Sequence, residues 1–318
     1  MTVSVLIPTF RRPGGLRVAI ASVLAQSHRP DEIIIVDNSP EASARCIADN
    51  AKAVARCPVI YVHAPQPGVS NARNAGFAAA SSRYIAFLDD DEVASVAWLD
   101  ALLATARELR ASVVFGPLRA EIGDAPALSA ELATRLYSRT GPGHDERLAK
   151  AFGCGNSLVD REAFDLPDAP FDTRLNQTGG EDDVFFASLA AQGARFAWSS
   201  RALAVEVVDE RRMALKHLLT RSFAFGQGAT QNCARAARPD LPGMVFWMVV
   251  GLGQAAIYGP LAGLAALFAP RRAASLLDKA VQGAGKLFWF GNFEPKFYGQ
   301  DEPETGSRHT ATPGMATR

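Results

Sequence analysis

Short β-rich runs alternate with segments of helical periodicity in the first third of this sequence, and this alternation restricts the fold more than any other feature. Each run is followed by a stretch in which apolar residues recur every three or four positions. The predicted strands are residues 3–7, 32–36, 59–62, 84–88 and 112–115, and the predicted helices are 16–25, 69–80 and 97–110. Strands that alternate with helices form a parallel sheet through crossover connections, so the predicted fold class is α/β.

The ends of two predicted strands carry the first candidate functional residues. Ligands of open parallel sheets bind at the carboxyl ends of the strands. Asp37 follows the second predicted strand and Asp89 follows the fourth. Residues 121–150 are rich in Gly, Pro, Ala and charge, which predicts a mobile excursion over this site. Further core elements follow between 152 and 207, and then a basic helix at about 211–228.

Composition excludes several classes of protein. The chain of 318 residues has 33 basic and 33 acidic side chains, so no overall field attracts it to nucleic acid. Its four cysteines have neither the spacing of a zinc site nor that of a disulfide framework, which fits a reducing cytoplasm. The N-terminus lacks the basic region and long apolar core of a signal peptide, so we expect the catalytic part on the cytoplasmic side.

Four acids directly after a predicted strand are the strongest local signal. The run is Asp89, Asp90, Asp91 and Glu92, and repulsion among adjacent carboxylates is costly unless a cation or water screens it. Oxygen-only ligands suit a hard divalent ion such as Mg²⁺ or Mn²⁺, which also takes phosphate oxygens. A solvated acidic turn is the alternative, and the position at a strand end favours the metal site.

A second acidic cluster opens a later helix. Two glycines precede Glu181, Asp182 and Asp183, and an apolar segment follows. Glycine allows close approach of backbone to a ligand, and acids favour a helix N-terminus. Helix capping alone explains one acid at this place better than it explains three. We therefore interpret the cluster as part of a functional site.

Two weaker signals accompany these clusters. Arg73 lies one turn inside a predicted helix that follows a turn, where it could hold a phosphate or ribose, or pair with an acid. Ligand contact is the favoured interpretation. Residues 152–157 (FGCGNS) place small side chains where a bulky substrate could pass, although glycine runs usually mark turns.

Six motifs in order resemble the family 2 inverting glycosyltransferases of the A-type fold. They are VSVLIPTFRR from Val3, IIIVDNS from Ile33, GVSNARNAG from Gly68, FLDDDE from Phe87, GCGNSLVDR from Gly153 and GGEDD from Gly179. The resemblance covers residues 1–210. It implies a Rossmann-like nucleotide-binding half merged with a smaller, mixed-sheet acceptor half. Residues 205–212, with Arg221 and Gly226, resemble the subgroup that builds succinoglycan-type exopolysaccharides.

The resemblance also implies roles on the donor side. It places the nucleotide-sugar contacts at Pro8, Thr9, Arg11, Asp37, Arg73, Asp89 and Asp90. In this scheme Asp37 accepts the imide N–H of uracil, and Asp90 is the variable middle residue of the DxD motif. Asp91 is the direct ligand of Mg²⁺ or Mn²⁺, together with Asp89.

On the acceptor side the resemblance makes Asp182 the catalytic base and assigns acceptor contacts to Gly155, Asn156 and Glu181. Many relatives carry a metal-binding histidine after the second sheet segment, and this sequence departs from that pattern. Glu206 stands near the position, and His217 lies further along the chain. The third metal contact is therefore open at this stage.

An apolar region follows the catalytic part. Residues 241–270 contain no charged side chain and are long enough to cross a bilayer, but Gly259 and Pro260 divide them. A membrane-embedded hairpin, a kinked spanning helix and a buried helix pair all fit, and the hairpin is favoured. A basic and aromatic border suits the cytoplasmic membrane face. It consists of Arg271, Arg272, Lys279, Lys286, Phe288, Trp289 and Phe290.

The predicted organisation is a catalytic domain at 1–230, divided at 118, a membrane-associated helical region at 231–299 and a disordered tail at 300–318. The predicted activity transfers a sugar from a nucleotide sugar, UDP-hexose by preference, to a lipid-linked saccharide at the cytoplasmic face of the bacterial inner membrane. A nucleotidyltransferase and a non-catalytic membrane scaffold are the alternatives. The first usually needs a glycine-rich loop with a lysine after the first strand, and residues 8–15 contain no lysine.

Overall fold

A computed structural model of the protein describes residues 1–236 and 238–297. The strands in this part of the chain are β1 (Val3–Thr9), β2 (Glu32–Asp37), β3 (Val59–His63), β4 (Tyr84–Phe87), β5 (Glu92–Ala94), β6 (Val113–Phe115), β7 (Leu118–Glu121), β8 (Glu146–Leu148), β9 (Ser157–Asp160), β10 (Phe196–Trp198) and β11 (Ala204–Val207). The helices are α1 (Pro13–Leu24), α2 (Arg45–Val54), α3 (Val69–Ala79), α4 (Trp98–Glu108), α5 (Ala127–Tyr137), α6 (Glu181–Ala191), α7 (Leu215–Arg235), α8 (Leu241–Ala266) and α9 (Pro270–Leu287).

Eight strands form one sheet in the order β3-β2-β1-β4-β9-β6-β10-β8. The first four are parallel, and in this part Leu6 of β1 lies between Ile34 of β2 and Phe87 of β4. Beyond them β9 is antiparallel to both of its neighbours, and a smaller sheet of order β5-β11-β7 adjoins this half. The predicted α/β class, with a Rossmann-like half that continues into a mixed-sheet half, is confirmed.

Sequence pattern explains why these strands form the centre of the fold. In β1 and β2 nearly every side chain is buried, because helices cover both faces of the parallel sheet. One core cluster lies beneath α1 and α4, and a second lies beneath α3 and α6. Phe171, Phe185 and Phe186 pack ring against ring in the second cluster and hold α6 against the sheet.

The segment 121–150 differs from the predicted mobile excursion. It contains α5 and β8, and α5 packs against α7 and α9. Leu132, Ala133, Leu136 and Tyr137 are buried in a third core cluster that also includes Leu218 and Ala274. The apolar residues of α5 recur at helical spacing, and they pack against helices that come much later in the chain.

The apolar region also differs from the favoured prediction. A hairpin broken at Gly259 and Pro260 is wrong, since α8 runs unbroken with Pro260 inside it. Pro260 removes a backbone hydrogen bond from α8, and the packing of α8 against α9 compensates for this loss. The domain boundary predicted after residue 230 falls inside α7, and the tail at 300–318 lies outside the described residues.

Candidate active site

The ends of β1 and β4 bring polar side chains from two motifs into contact. The hydroxyl of Thr9, at the end of β1, donates to Asp90 Oδ2 at 2.7 Å. Arg12, just before α1, donates to Asp91 Oδ2 at 2.6 Å and to Asp90 Oδ1 at 3.3 Å. Burial raises the pKa of Asp90 to about 6, although Arg12 acts in the opposite direction. The two parallel strands therefore place the DxD motif beside the first loop of the fold.

Two guanidinium groups, from opposite halves of the molecule, contact Asp91. Besides Arg12, Arg212 donates to Asp91 Oδ2 at 2.9 Å. Burial disfavours the charged carboxylate, but Arg212 and Arg12 together outweigh it and hold the pKa of Asp91 below its ordinary value. Arg212 also lies 3.6 Å from Glu206 Oε1, and burial and the charge of Asp91 raise the pKa of Glu206 to about 8. Asp91 is thus the ionised centre of this side of the site.

Arg73 joins the DxD motif to the second acidic cluster. Its side chain is buried in α3, where it contacts Glu181 Oε1 and lies 3.6 Å from Asp89 Oδ1. Burial raises the pKa of Glu181 to about 7, and the charge of Arg73 opposes this effect. Two atoms of the pair, Arg73 Nε and Glu181 Oε2, are buried without a hydrogen bond in the described part of the chain. The structure thus shows Arg73 paired with acids.

Glycines between the two acidic clusters bring backbone against carboxylates. A Cβ atom at Gly153 would lie 2.9 Å from Asp182 Oδ2, and one at Gly155 would meet Glu92 and lie 2.8 Å from Asp89 Oδ2. No side chain fits at Gly155 unless these acids move. The glycine segment, residues 153–155, therefore forms one wall shared by Asp89 and Asp182.

Arg139 holds the glycine segment in place. Its guanidinium donates to the backbone carbonyls of Gly116, Gly153, Gly155 and Asn156. Burial lowers the pKa of Arg139 to about 10, opposed by the charges of Glu92 and Asp89. The four carbonyls satisfy a buried cation that also neutralises acids of the site.

Asn156 is buried at a backbone φ of 48°, a conformation that asparagine tolerates better than most residues. Its amide oxygen accepts from Trp98 at 2.7 Å, and its amide nitrogen donates to the carbonyls of Pro117 and Ala202. Every polar group of this side chain has a partner within the chain. The geometry therefore favours a role in fixing the glycine segment, and contact with an acceptor stays a prediction.

Asp182 lies in the first turn of α6, behind the left-handed Gly180 at φ 88°. Glu181 is buried on one side of it and Asp183 is exposed on the other. Asp182 Oδ1 accepts the backbone N–H of Asp183 at 3.0 Å. Acidic side chains in the first turn of a helix interact favourably with the partial positive charge of its N-terminus. The half-buried Asp182 thus faces the glycine segment while it keeps contact with solvent.

Asp37 lies at the end of β2, as predicted, but it is fully buried. Its carboxylate accepts from the backbone N–H and hydroxyl of Ser39, from the backbone N–H of Ala44 and from the hydroxyl of Tyr61. These donors order the loop that leads into α2. A contact with uracil stays a prediction, and it would have to be made beside these four bonds.

The remaining candidates occupy the margins. Pro8 is half-buried in β1, and Arg11 donates to Glu41 at 2.6 Å, away from the DxD motif. His217 Nε2 lies 3.1 Å from the hydroxyl of Tyr137. The histidine is therefore engaged with α5, and of the two candidates for a third metal contact Glu206 is the one that lies beside Arg212 and Asp91.

Sequence reasoning missed several residues that build this site. Arg12 lies next to the predicted Arg11, and only the turn into α1 decides which of the two reaches Asp90 and Asp91. Arg212 had a signal, since it belongs to the stretch that resembles the succinoglycan subgroup. Arg139 had none, because it comes from the segment interpreted as a mobile excursion. Its function depends on backbone carbonyls that no sequence pattern displays.

The donor chemistry at this site fits a divalent ion that shares its coordination with a substrate. Within residues 1–236 and 238–297, no three His, Cys, Asp or Glu side chains are arranged to hold a metal by themselves. Mg²⁺ and Mn²⁺ are commonly held by one or two carboxylates together with phosphate oxygens. Asp91, which is ionised, and Asp89 are oxygen donors of this kind, and the residues do not form an all-protein metal cage.

The fold and this site define the class of protein. The solved structure of S. aureus TarS superposes with a TM-score of 0.50 over 96% of this chain and 61% of that chain, at 14% sequence identity. The mixed sheet, with acids at the strand ends, is that of an A-type glycosyltransferase.

The particular family follows from sequence. The family described as Glycosyl transferase family 2 matches residues 4–166, just over half of the chain. The chain belongs to glycosyltransferase family 2.

Two curated relatives extend the comparison. The succinoglycan biosynthesis protein ExoM of Rhizobium meliloti is 34% identical over 224 residues, which cover 69% of this chain and 71% of ExoM. The pre-mycofactocin glycosyltransferase of Mycobacterium tuberculosis is 26% identical over 264 residues, which cover 79% of this chain and 53% of that protein. The similarity to ExoM agrees with the resemblance to the succinoglycan subgroup.

Proposed function

We propose that this chain transfers a hexose from a UDP-sugar to a hydroxyl of a growing, lipid-linked exopolysaccharide, with inversion, at the cytoplasmic face of the inner membrane. The observation that carries the proposal is that Asp89 and Asp182 both lie against the glycine segment, while Asp91, two residues after Asp89, is held by Arg12 and Arg212. Similarity to ExoM supports a polysaccharide of the cell envelope as the product.

The first loop and the DxD motif are the proposed donor side. Thr9 and Arg12 fix Asp90 and Asp91 at the carboxyl ends of β1 and β4, where ligands of such sheets bind. The guanidinium groups of Arg12 and Arg212 are suited to the oxygens of a diphosphate. We propose that they bind it and so favour departure of the nucleoside diphosphate.

Asp91, with Asp89, would hold Mg²⁺ or Mn²⁺. When bound, such an ion supplies Lewis-acid stabilisation of the charge that develops on the leaving diphosphate. Arg12 and Arg212 keep Asp91 ionised, which is the state in which a carboxylate binds a cation. Arg73, whose second guanidinium nitrogen lies 3.6 Å from Asp89 Oδ1, attracts Asp89 electrostatically.

Asp182 is the proposed base. A sugar hydroxyl is a poor nucleophile and must lose its proton as it attacks, and a positioned carboxylate accepts that proton. The hydroxyl oxygen forms the new bond to the anomeric carbon while the bond to the diphosphate breaks. Attack opposite to the leaving group inverts the centre, so an α-linked donor gives a β-glycoside.

The acceptor would enter along Gly155. Without a side chain, the backbone at Gly155 lies directly against Glu92 and Asp89, and Glu181 is held by Arg73, which also lies beside Asp89. Glu181 Oε2 is a buried oxygen without a hydrogen bond in the described chain, and an acceptor hydroxyl would satisfy it. Asn156 contributes indirectly, because it fixes the backbone of the glycine segment.

Product analysis tests the proposal. Full-length protein is incubated with a panel of nucleotide sugars, Mn²⁺ and a bacterial lipid extract, and release of the nucleoside diphosphate is measured. We expect release from one UDP-sugar to rise strongly with lipid extract, and NMR of the glycolipid to show a β-linkage from an α-donor. No release from any donor, or retention of configuration, would overturn it.

A further inference from the structure

One side of α8 is an unbroken apolar strip. The helix has 26 residues, which at 1.5 Å per residue is about 39 Å, and it is long and apolar enough to cross a bilayer. Only Gly251 and Ala262 are fully buried along it. The apolar strip is defined by exposed side chains of α8 and of the turn that follows it. They are Leu241, Val245, Phe246, Val249, Leu252, Ile257, Leu261 and Leu264, and in the turn Leu267 and Phe268.

The other side of α8 is covered by α9 over most of the length of α8. These two helices form the most extensive contact between any two elements in the described chain. A Cβ atom at Gly251 would lie 2.6 Å from the carbonyl oxygen of Gly283, so the backbones touch. Further along, the ammonium of Lys279 lies 5.1 Å from the ring centre of Tyr258. The two helices are therefore antiparallel and closely joined.

This pairing decides how α8 can meet a membrane. If α8 crossed a bilayer along its axis, α9 would have to cross beside it. The charged Lys279 and the buried Asp278 would then lie beside Tyr258, well inside the hydrocarbon. Charged side chains at that depth are strongly unfavourable. A spanning orientation is thus incompatible with the packing of the two helices.

We propose that α8 lies in the plane of the membrane surface, with the apolar strip sunk into the acyl boundary. This inference rests on the proposed function, and it defines how the enzyme meets a lipid-linked acceptor. Arg271, Arg272 and Lys279 are exposed on α9 beside the strip and are placed for lipid phosphates. Helices that lie in the membrane interface combine an apolar face with a polar, basic one. Here α8 supplies the apolar face and the amphipathic α9, which packs on it, supplies the basic one.

A second copy of the chain fits the strip less well. In a two-fold symmetric pair the same surface lies on both sides, and the strip contains no acidic side chain that could pair with the exposed Arg271, Arg272 and Lys279 of the other copy. A lipid surface presents phosphates instead. The charge beside the strip therefore favours lipid as the occupant.

The order in which the helices pack determines which part of the enzyme adjoins the membrane-facing strip. In the order α8, α9, α5 the helices connect the strip to the acceptor half, and Arg135 of α5 lies 3.4 Å from Asp278 of α9. The α7 helix, which follows Arg212, packs against both α8 and α9. A saccharide on a lipid carrier would thus reach Asp182 from the acceptor half.

Flotation of the full-length protein with vesicles tests the lipid contact. Vesicles of phosphatidylcholine, with or without phosphatidylglycerol, are compared for wild type and a Val249→Asp, Leu252→Asp double variant. Buried carboxylates oppose insertion, so we expect roughly tenfold weaker binding by the double variant. The matched control is Val54→Asp, which adds a charge at an exposed valine of α2, away from the strip, and should float like wild type.

The basic residues are tested in the same assay. The Arg271→Gln, Arg272→Gln variant should lose most of the extra binding that phosphatidylglycerol confers. UDP binding of every variant is measured in parallel. Variants that bind UDP normally but no longer float with the vesicles support the proposal. A wild-type protein that does not bind UDP would contradict the proposed function alone. A wild-type chain that does not float, or that forms a dimer through the strip, would overturn the in-plane arrangement.

Depth measurements separate the in-plane arrangement from a spanning one. One cysteine at a time (Val245→Cys, Leu252→Cys or Leu264→Cys) is labelled with a fluorophore, in a background where Cys46, Cys57 and Cys233 are serine and the buried Cys154 is kept. Lipids brominated at different acyl positions quench the label according to its depth. Equal, shallow depths at the three positions are expected. A graded series, with Leu252 deepest and one end at the far surface, would show that α8 spans.

Discussion

At the scale of single residues, the DxD motif is held by arginines from both halves of the molecule. Arg12 and Arg212 share Asp91 Oδ2, and Arg73 lies between Asp89 and Glu181. A charge network of this kind restricts the carboxylates before a substrate arrives, which favours electrostatic stabilisation of a reaction. Substitutions of single acids should therefore have distinct effects on UDP binding, on turnover and on stability.

Chelation and Asp91→Asn test the metal. With EDTA we expect loss of transfer, and with Mn²⁺ present Asp91→Asn should weaken UDP binding about tenfold or more, because a charged ligand and a partner of two arginines are removed. Titration calorimetry with UDP measures the affinity. Asp124→Asn, an exposed acid outside the site, is the control. Undiminished transfer after thorough chelation would remove the metal from the mechanism.

Asp182→Asn tests the base. The substitution keeps the size of the side chain at the start of α6 but removes its capacity to accept a proton. Turnover should fall roughly 10²–10⁴-fold while UDP affinity is unchanged. The matched control is Asp183→Asn, since Asp183 is exposed beside it, and that variant should keep most of its activity. If Asp183→Asn lost turnover while Asp182→Asn kept it, the assignment within the cluster would be wrong.

Glu181 links stability to pH. Burial raises its folded-state pKa to about 7, above the ordinary value of 4.5. A carboxyl group with a raised pKa contributes most to stability below about pH 4.5, and this contribution is lost as pH rises through about 7. The melting temperature of wild type relative to Glu181→Gln should therefore fall between pH 5 and about 8. A difference that rises with pH would show that the contact with Arg73 dominates.

At the scale of elements, the glycine segment is the most sensitive connection. In Gly155→Ala the new methyl group would meet Glu92 and Asp89, and overpacking of this kind costs about 1–3 kcal/mol. We expect a lower melting temperature and lower turnover. Gly14→Ala is the matched control, because nothing lies within 4 Å of its Cβ position in α1. Differential scanning calorimetry measures the melting temperature of both variants, and Gly14→Ala should be neutral or slightly stabilising.

Sequence predicted the elements that depend on local pattern and missed those that depend on partners. β1 and β2 could be predicted because both of their faces are buried, which gives continuous apolar runs in the sequence. α5 could not be predicted, since it is stabilised by packing against α9, far away in the chain. The continuity of α8 through Pro260 depends on packing against α9, the helix that follows it, and this tertiary contact is not visible in the local sequence. In the site, adjacent acids were visible, whereas the choice of Arg12 over Arg11 is set by backbone direction.

At the scale of the whole molecule, the C-terminal helices are part of the catalytic fold. Ala274 of α9 completes the third core cluster with Leu132 and Leu218, and Asp278 accepts from Ser222 of α7. The backbone N–H of Phe297 donates to the carbonyl of Gln177, close to the start of α6. This region is therefore packed as part of the catalytic domain.

Truncation tests this view. A chain that ends at Pro239 loses α8 and α9 and exposes the apolar faces of α5 and α7, so it should melt at a lower temperature and aggregate. A chain that ends at Phe297 keeps every described element and is the matched control. Differential scanning calorimetry and light scattering measure the two. A fully stable chain ending at Pro239 would show that the helical region is an independent module.

The buried contact between Arg73 and Glu181 has a thermodynamic consequence for the two halves of the enzyme. Arg73 belongs to the nucleotide-binding half and Glu181 to the acceptor half, and the same guanidinium reaches Asp89. A ligand that displaces either member changes the free energy of the other. Linkage is reciprocal, so donor affinity must change on acceptor binding by the same factor as acceptor affinity changes on donor binding. A donor that contacts Arg73 and an acceptor that contacts Glu181 would therefore be coupled through this one ion pair.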